Sequence, residues 1–330
     1  MGLRETGHAL WSMTPRALRE PLQLLGAAAQ RWNDADGAPL GASIAFYTMF
    51  ALAPLLLVTI AVAGTVFGEQ AARGQVVAQI EGVVGPAAAR AIEAMLEAAW
   101  RDPASLKAAV LGVVTLFVGA TGVFAQLRRA LNAIGRIEPS PQVISTFVRV
   151  RLRAFALLLG FGFLAIASLL LSAVLSAATS FVSQRIASLA TTAMVLDFVV
   201  SVSVLSVAFA ALLHWLPDAS PSPRAVWISA LTSALLFAVG KQLIGFYLGR
   251  ASIASSYGAA GSFVVVMLWV YYSAQIFLFG AAVGRVYDER RDALQGETAS
   301  MSAAREVIAR ASRNAARPPI AGSGRKGPRR

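Results

Sequence analysis

The 330-residue chain contains no cysteine, only two histidines and only 14% charged residues. Without cysteine it forms neither disulfide bonds nor thiolate metal sites, so its cysteine content gives no information about the redox compartment. A soluble domain of average composition carries roughly 25% charged residues. The low charge, together with 57% hydrophobic residues, is therefore atypical of a soluble protein and indicates a membrane protein.

The shortage of histidine also argues against several enzyme classes. Hydrolysis of RNA, for example, requires a metal-binding cluster of carboxylates or histidines, or a histidine acid and base pair. His8 and His214 are far apart in the sequence, and neither belongs to an HxH or HxxxH pattern. A Walker-type phosphate loop is missing, and no serine stands beside a credible base. We therefore expect no enzymatic activity, no metal and no cofactor.

Long stretches without acidic or basic residues divide the sequence. Five of them are long enough for one bilayer crossing, and a sixth is interrupted only by Lys241. A helix rises about 1.5 Å per residue, so about 20 apolar residues cross the roughly 30 Å hydrocarbon core. We predict an all-α polytopic membrane protein, a bundle of six transmembrane helices. The predicted spans are residues 41–67, 107–127, 154–178, 192–216, 225–248 and 260–286.

The distribution of basic residues between these spans predicts the orientation. Segments on one side of the membrane contain 22 lysines and arginines, whereas those on the other side contain six. Because basic residues are retained in the cytoplasm, both termini are predicted to be cytoplasmic, in a bacterial inner membrane. The domains are then a cytoplasmic segment 1–36, a transmembrane domain 37–290 and a basic tail 291–330, mostly disordered with a short helix around residues 301–313. The first apolar run starts near Leu40, too far from Met1 for a cleavable signal peptide.

The net charge of +12 is explained by the same residues. They lie next to the spans, where anionic lipid attracts them, so we expect membrane lipids as partners and no nucleic acid. The segment 69–103, between the first two spans, has apolar residues at helical spacing, with a favourable helix start at Gly85 and Pro86. It predicts two short amphipathic helices on the outer surface, which act either as a lid on the bundle or in substrate gating.

Ionisable residues inside spans are the first candidates for a functional site, because each is costly in lipid unless it is paired or hydrated. Asp197 and Lys241 are predicted at matching depth on consecutive spans. They form either a structural salt bridge or part of a polar cavity for an anionic ligand or a proton. Uncharged polar residues of the spans are assigned either to the same cavity or to hydrogen bonds between helices: Tyr47, Gln242, Tyr247, Tyr271 and Gln275. Pro54 is expected to kink the first span.

Several segments follow a shared pattern, and the first is the stretch from Gly41 to Leu57, Gly-Ala-Ser-Ile-Ala-Phe-Tyr-Thr-Met-Phe-Ala-Leu-Ala-Pro-Leu-Leu-Leu. Further segments follow in order: Leu131-Asn132-Ala-Ile134, Lys241 to Leu248 ending Phe246-Tyr247-Leu248, Tyr257-Gly258-Ala-Ala-Gly261, Leu268-Trp269-Val-Tyr271-Tyr-Ser273 and Gly280-Ala281. Together these segments resemble the YihY/virulence factor BrkB family of bacterial inner-membrane proteins. Relatives often carry a glutamate after this last pair, where the chain has Ala282. The resemblance covers residues from about 30 to 290 and implies six helices with both ends in the cytoplasm.

The resemblance does not determine an activity, since family members have been labelled ribonuclease BN, serum-resistance factors and transporters. The residue chemistry described above argues against a ribonuclease. We therefore predict a protein that moves or accommodates a small or lipidic solute. The alternative is a non-transporting envelope or scaffold protein whose basic face holds anionic lipid or a protein partner. The sequence does not give the oligomeric state.

Overall fold

A computed structural model describes residues 16–67, 74, 77–78, 80–81, 84–100, 106–138, 189–250 and 260–315. In this part of the chain the regular elements are helices and no strand occurs. We number them α1 (Arg16–Asp34), α2 (Gly37–Phe67), α3 (Pro86–Trp100), α4 (Leu106–Ile134), α5 (Leu189–Trp215), α6 (Pro223–Arg250) and α7 (Gly261–Ala315). The chain divides into two compact units, Met1–Val286 and Tyr287–Arg330.

Four of these helices contain segments long and apolar enough to cross a membrane: Gly37–Leu56, Phe198–Trp215, Pro223–Tyr247 and Gly261–Ser302. They correspond to the first, fourth, fifth and sixth predicted spans. The predicted second span lies within α4, a helix that is not among these four. The third, residues 154–178, lies outside the described residues. The helical membrane class is therefore confirmed, whereas the count of six spans is not.

Local sequence explains where several helices begin and end. The Ser222 hydroxyl accepts a hydrogen bond from the Ala225 amide at 3.3 Å, which caps α6 ahead of a proline at its first position. Pro86 starts α3 after Gly85, whose φ is +83°, as the sequence predicted. In α2 the helix continues through Pro54 to Phe67, and a kink at this proline stays a prediction.

Close helix contacts in the first unit are made at glycines. α2 packs along α4, where a Cβ added to Gly119 would lie 2.8 Å from the Ala51 backbone nitrogen. One turn further along α4, a Cβ at Gly122 would overlap the Tyr47 ring. Since residue numbers rise on α4 as they fall on α2, the two helices run antiparallel. Small residues thus allow α2 and α4 to pack closely.

A second seam of small residues joins α6 to the part of α7 within the first unit. Gly280 and Gly284, four residues apart, face Ser233 and Ser229, which are also four residues apart. A Cβ at Gly284 would lie 2.7 Å from the carbonyl oxygen of Ala225, and one at Gly280 would lie 3.0 Å from that of Ser229. Ala282, where relatives often carry glutamate, is fully buried on the opposite side of α7 from this seam. The two helices therefore approach at backbone distance.

α3 packs into the bundle. It contacts α2 and α6, and its buried residues Ala88, Ala89 and Ile92 share an apolar cluster with Ile244 of α6 and Val265 of α7. The remainder of the predicted outer segment is described only at single positions, so a second amphipathic helix is not tested. α3 thus covers the bundle at the end where α6 finishes and α7 begins.

The last helix is longer than the sequence predicted. We expected a mostly disordered tail from residue 291, with a short helix at 301–313, but α7 runs without interruption to Ala315. Its second half is rich in alanine, arginine and glutamate, which have high helix propensity, and this explains the extension. The basic residues 316–330 lie outside the described part.

Candidate functional site

The predicted polar site is distributed over four helices. Tyr47 and Pro54 lie on α2, Asp197 on α5, and Tyr271 and Gln275 on α7. The other three, Lys241, Gln242 and Tyr247, lie on α6. Because these helices pack through different faces, the eight residues lie in different surroundings.

Lys241 is half-buried inside the α6 span. The preceding residue, Gly240, packs against the side chain of Tyr272, since a Cβ there would lie 2.5 Å from the tyrosine oxygen. Tyr271 is half-buried at the same level of α7. Lys241 therefore lies at the level of two tyrosines, within a segment long enough to span the bilayer.

One described contact between α5 and α6 gives a coarse alignment of the helices that carry the predicted Asp197–Lys241 pair. The rings of Phe209 and Phe237 contact each other with centroids 6.2 Å apart. Counted from this contact, Lys241 is four residues away along α6, whereas Asp197 is twelve residues away along α5. In an antiparallel pair this difference of eight residues corresponds to about 12 Å along the helix axes. The Asp197 side chain lies outside the described part, so the pair itself remains untested.

Gln242 and Tyr247 lie on the exposed face of α6. They share it with Leu243 and Phe246, which are 63% and 59% exposed. Apolar residues exposed in this way on a membrane-spanning helix are typical of a lipid-facing surface. The structure thus separates these two residues from the half-buried ones.

Gln275 joins α7 to the corner between α1 and α2. Its side-chain oxygen accepts a hydrogen bond from Trp32 Nε1 at 3.0 Å, and its Nε2 donates to the carbonyl oxygen of Ala38 at 3.3 Å. A Cβ at Gly41 would overlap the Gln275 amide, so a larger residue there would displace this side chain from its hydrogen bonds. Of the two roles predicted for Gln275, the hydrogen bond between helices is confirmed.

A polar cluster that the sequence analysis did not predict lies at the opposite end of the bundle from α3. Asp218, in the loop between α5 and α6, accepts a hydrogen bond from Arg128 Nε at 2.9 Å and one from Asn132 Nδ2 at 2.7 Å. The Asp218 amide in turn donates to Asn132 Oδ1 at 3.0 Å. Arg128, Asn132 and Asp218, which we call the Asp218 cluster, therefore fasten the loop to α4.

Two further arginines strengthen this end. Arg285 of α7 donates to the carbonyl oxygen of Ala219 in the same loop. Arg31 of α1, only 6% exposed, donates to the carbonyl oxygen of Ile134 at 3.1 Å and so satisfies a carbonyl at the end of α4. Asn132 belongs to the Leu131-Asn132-Ala-Ile134 segment on which the family resemblance is based. That segment was the sequence signal that could have indicated this cluster. The Asp218 cluster and these arginines fix the ends of the helices relative to one another.

We expect Gln275→Leu to lower the free energy of unfolding by about 1–3 kcal/mol, because the half-buried Trp32 N–H then has no acceptor. Gln242→Leu provides a matched control, since it makes the same change on an exposed face and should alter stability little. Thermal unfolding of the two purified variants measures the difference. Equal stabilities would show that the Trp32–Gln275 hydrogen bond contributes nothing.

Comparison with known proteins identifies related membrane proteins in other bacteria. The chain is similar to UPF0761 membrane proteins of Rhodospirillum centenum, at 27% identity over 79% of this chain and 56% of that protein, and of Verminephrobacter eiseniae, at 29% over 83% and 61%. A third relative, from Pseudoalteromonas atlantica, is 28% identical over 77% of this chain and 82% of its own length. The chain thus spans little more than half the length of the first relative. No solved structure matched.

The family model of virulence factor BrkB matches residues 28–306. This range contains the Asp218 cluster, Gln275 and Lys241, together with every segment on which the sequence resemblance was based. The chain therefore belongs to the virulence factor BrkB family of membrane proteins.

Proposed function

We propose that this chain is a six-span inner-membrane protein that moves or accommodates a small or lipidic anionic solute. The observation that carries the proposal is the half-buried Lys241 inside the α6 span. A charge within a span is expensive in lipid, so it commonly marks a ligand or ion path. Tyr271 and Tyr272, at the same level, supply hydroxyl groups that can bind a phosphate or carboxylate beside the ammonium group.

The packing of α3 supports a path that is closed at one end. Ile244 is three residues beyond Lys241 and lies on nearly the same side of α6. It is buried in the cluster that contains Ala88, Ala89 and Ile92 of α3. α3 would have to move for a solute to pass between Lys241 and that end of the bundle. We assign the gating role to α3 on this basis.

Two tryptophans mark one boundary of the membrane in the proposed arrangement. Trp215 and Trp227, at the end of α5 and near the start of α6, are 53% and 54% exposed. Exposed tryptophans at this position are typical of a membrane–water interface. The Asp218 cluster then lies at that interface, on the side with the excess of basic residues. This is the side that we propose to be cytoplasmic, with both termini.

The test is ligand-dependent stabilisation of the purified protein. Short-chain phosphatidylglycerol and glycerol phosphate serve as anionic probes, with short-chain phosphatidylcholine as the neutral one. A ligand of the native state at 100 times its Kd stabilises by about 2.7 kcal/mol. We expect the anionic probes to raise the unfolding midpoint of the unmodified chain and of Arg224→Ala, but not that of Lys241→Ala. Arg224 is the control because it is an exposed cation on the same helix.

A non-transporting envelope or scaffold protein is the second candidate, and a specific observation favours it. Gln275, one of the predicted site residues, is hydrogen-bonded between helices, and the Tyr47 ring packs over Gly122. Polar residues used in this way hold a bundle together without forming a path. Stabilisation by anionic lipid that is equal in Lys241→Ala and the unmodified chain, with no flux of fluorescent phosphatidylglycerol in liposomes, would favour the scaffold.

A further inference from the structure

The first helix, α1, has an apolar face that is wider than its contact with the bundle. On one side of this face Ala28 is fully buried in the core cluster, and Leu24 and Trp32 pack against that cluster. On the other side Leu22 and Leu25 are 44% and 40% exposed. A helix that rests only on its own protein needs no apolar residues beyond that contact. The exposed part of the apolar face therefore requires a separate explanation.

The exposed apolar face forms a continuous stripe. At 100° per residue, Leu22, Leu25 and Ala29 lie within about 60° of one another. Arg19, Gln23 and Gln30 form a second, polar stripe, about 60–100° away from Leu22. Gln23, Gln30 and Ala29 are exposed, as is Leu22. The exposed surface of α1 is thus amphipathic, with an apolar stripe and a polar stripe that run side by side along the helix.

The rotation of α1 about its axis is fixed by hydrogen bonds near its end. Arg31 donates to the Ile134 carbonyl oxygen at 3.1 Å, and Trp32 donates to Gln275 at 3.0 Å. Both residues lie on the buried side, so Leu22 and Leu25 cannot turn into the bundle without breaking these bonds. The exposed apolar stripe is a fixed feature of the folded protein.

The position of α1 indicates what covers the stripe. Only Ala35 and Asp36 separate it from α2, and Asp36 adopts a left-handed conformation with φ of 55° at this turn. The membrane-spanning segment of α2 starts immediately afterwards, at Gly37. The end of α1 is therefore at the membrane surface, where lipid can reach the exposed apolar stripe. Arg19, near the start of α1, adds attraction for anionic headgroups.

We infer that α1 is an interfacial helix, which lies on the membrane face where α2 begins. Leu22 and Leu25 enter the boundary between headgroups and acyl chains, and Gln23 and Gln30 face water. The inference depends on α2 crossing the membrane and is independent of transport. If a protein surface from a second copy or another partner covered the stripe, lipid could not contact it, and the inference would be wrong.

The absence of cysteine allows a direct test on the full chain. Single cysteines replace Leu22, Leu25, Gln23 or Gln30, each is labelled with an environment-sensitive fluorophore, and the protein is reconstituted in liposomes of phosphatidylcholine and phosphatidylglycerol. Quenching is compared between a nitroxide on the lipid acyl chain and acrylamide in water. All four positions are at least partly exposed on α1, so the labels should not disturb the core, and elution as a single species checks this.

We expect the acyl-chain nitroxide to quench the labels at positions 22 and 25 at least about twofold more than those at 23 and 30, with the reverse order for acrylamide. Equal quenching by acrylamide at all four positions would show that the stripe faces water, and would overturn the inference. Labels at 22 and 25 that are protected from both quenchers would show that protein covers the stripe, which also overturns it.

Discussion

Gly284→Ala should lower the free energy of unfolding by about 1–3 kcal/mol, the usual cost of overpacking a tightly packed site. The added methyl group would lie 2.7 Å from the Ala225 carbonyl oxygen and would overlap the Ser229 hydroxyl. Because a backbone atom is one of the obstacles, a side-chain rotation cannot relieve the clash. α6 and α7 would have to separate along their seam.

The matched control is Gly245→Ala, the same substitution on α6. A Cβ at Gly245 meets nothing within 4 Å. In the interior of a helix, alanine is more favourable than glycine by about 1 kcal/mol, so this variant should be as stable as the unmodified chain or more stable. Thermal unfolding in detergent, with the two variants side by side, gives the sign of each effect. A stabilising Gly284→Ala would mean that α6 and α7 do not approach at this distance.

Asp218→Ala is expected to destabilise the protein by about 2–3 kcal/mol, since hydrogen bonds to charged groups contribute roughly 1.5–3 kcal/mol. The substitution leaves the Arg128 guanidinium, whose side chain is 15% exposed, and the Asn132 amide without their acceptor. It also removes the side-chain hydrogen bonds that hold the α5–α6 loop to α4, so that of the Asp218 cluster only the backbone bond to Asn132 remains. Asp218→Asn should be intermediate, because the amide oxygen still accepts a hydrogen bond but carries no charge.

The control for this prediction is the second described ion pair, Arg136–Asp34. Its nitrogen and oxygen are 3.6 Å apart, and its side chains are 65% and 59% exposed. Exposed pairs of this kind contribute about 0–1 kcal/mol, so Asp34→Ala should change stability little. Chemical unfolding of both variants in the same detergent compares a part-buried carboxylate with an exposed one. Equal losses of stability in the two variants would contradict the conclusion that the Asp218 cluster fastens the loop to α4.

Several features of the fold were predictable because they depend on one segment at a time. The membrane class followed from the spacing of charges, and the start of α3 followed from Gly85 and Pro86. The predicted spans 192–216 and 225–248 agree closely with α5 and α6. Even the identity of the family could be inferred from short motifs read in order, and the family model confirmed it.

The candidate site was less predictable, because it depends on the register between helices. Depth counted from the sequence placed Asp197 opposite Lys241, and this pair stays a prediction, because it depends on how α5 and α6 are aligned along their axes. Gln275 and Gln242 look alike in sequence, each a glutamine inside an apolar helix. In the structure Gln275 is hydrogen-bonded to Trp32, whereas Gln242 is exposed. No local pattern distinguishes them, since the partner of Gln275 is 243 residues away.

The sequence by itself determined that the chain is helical, that it lies in a membrane and that it belongs to its family, because the cost of placing charge in lipid acts on each residue within its own helix. Only the tertiary structure decided which glycines meet another backbone, which arginines satisfy the helix ends and how the loop at Asp218 is held. These contacts depend on the rotation and register of helices that are distant in sequence. Side-chain shape on both partners sets that rotation and register, and neither helix specifies them alone.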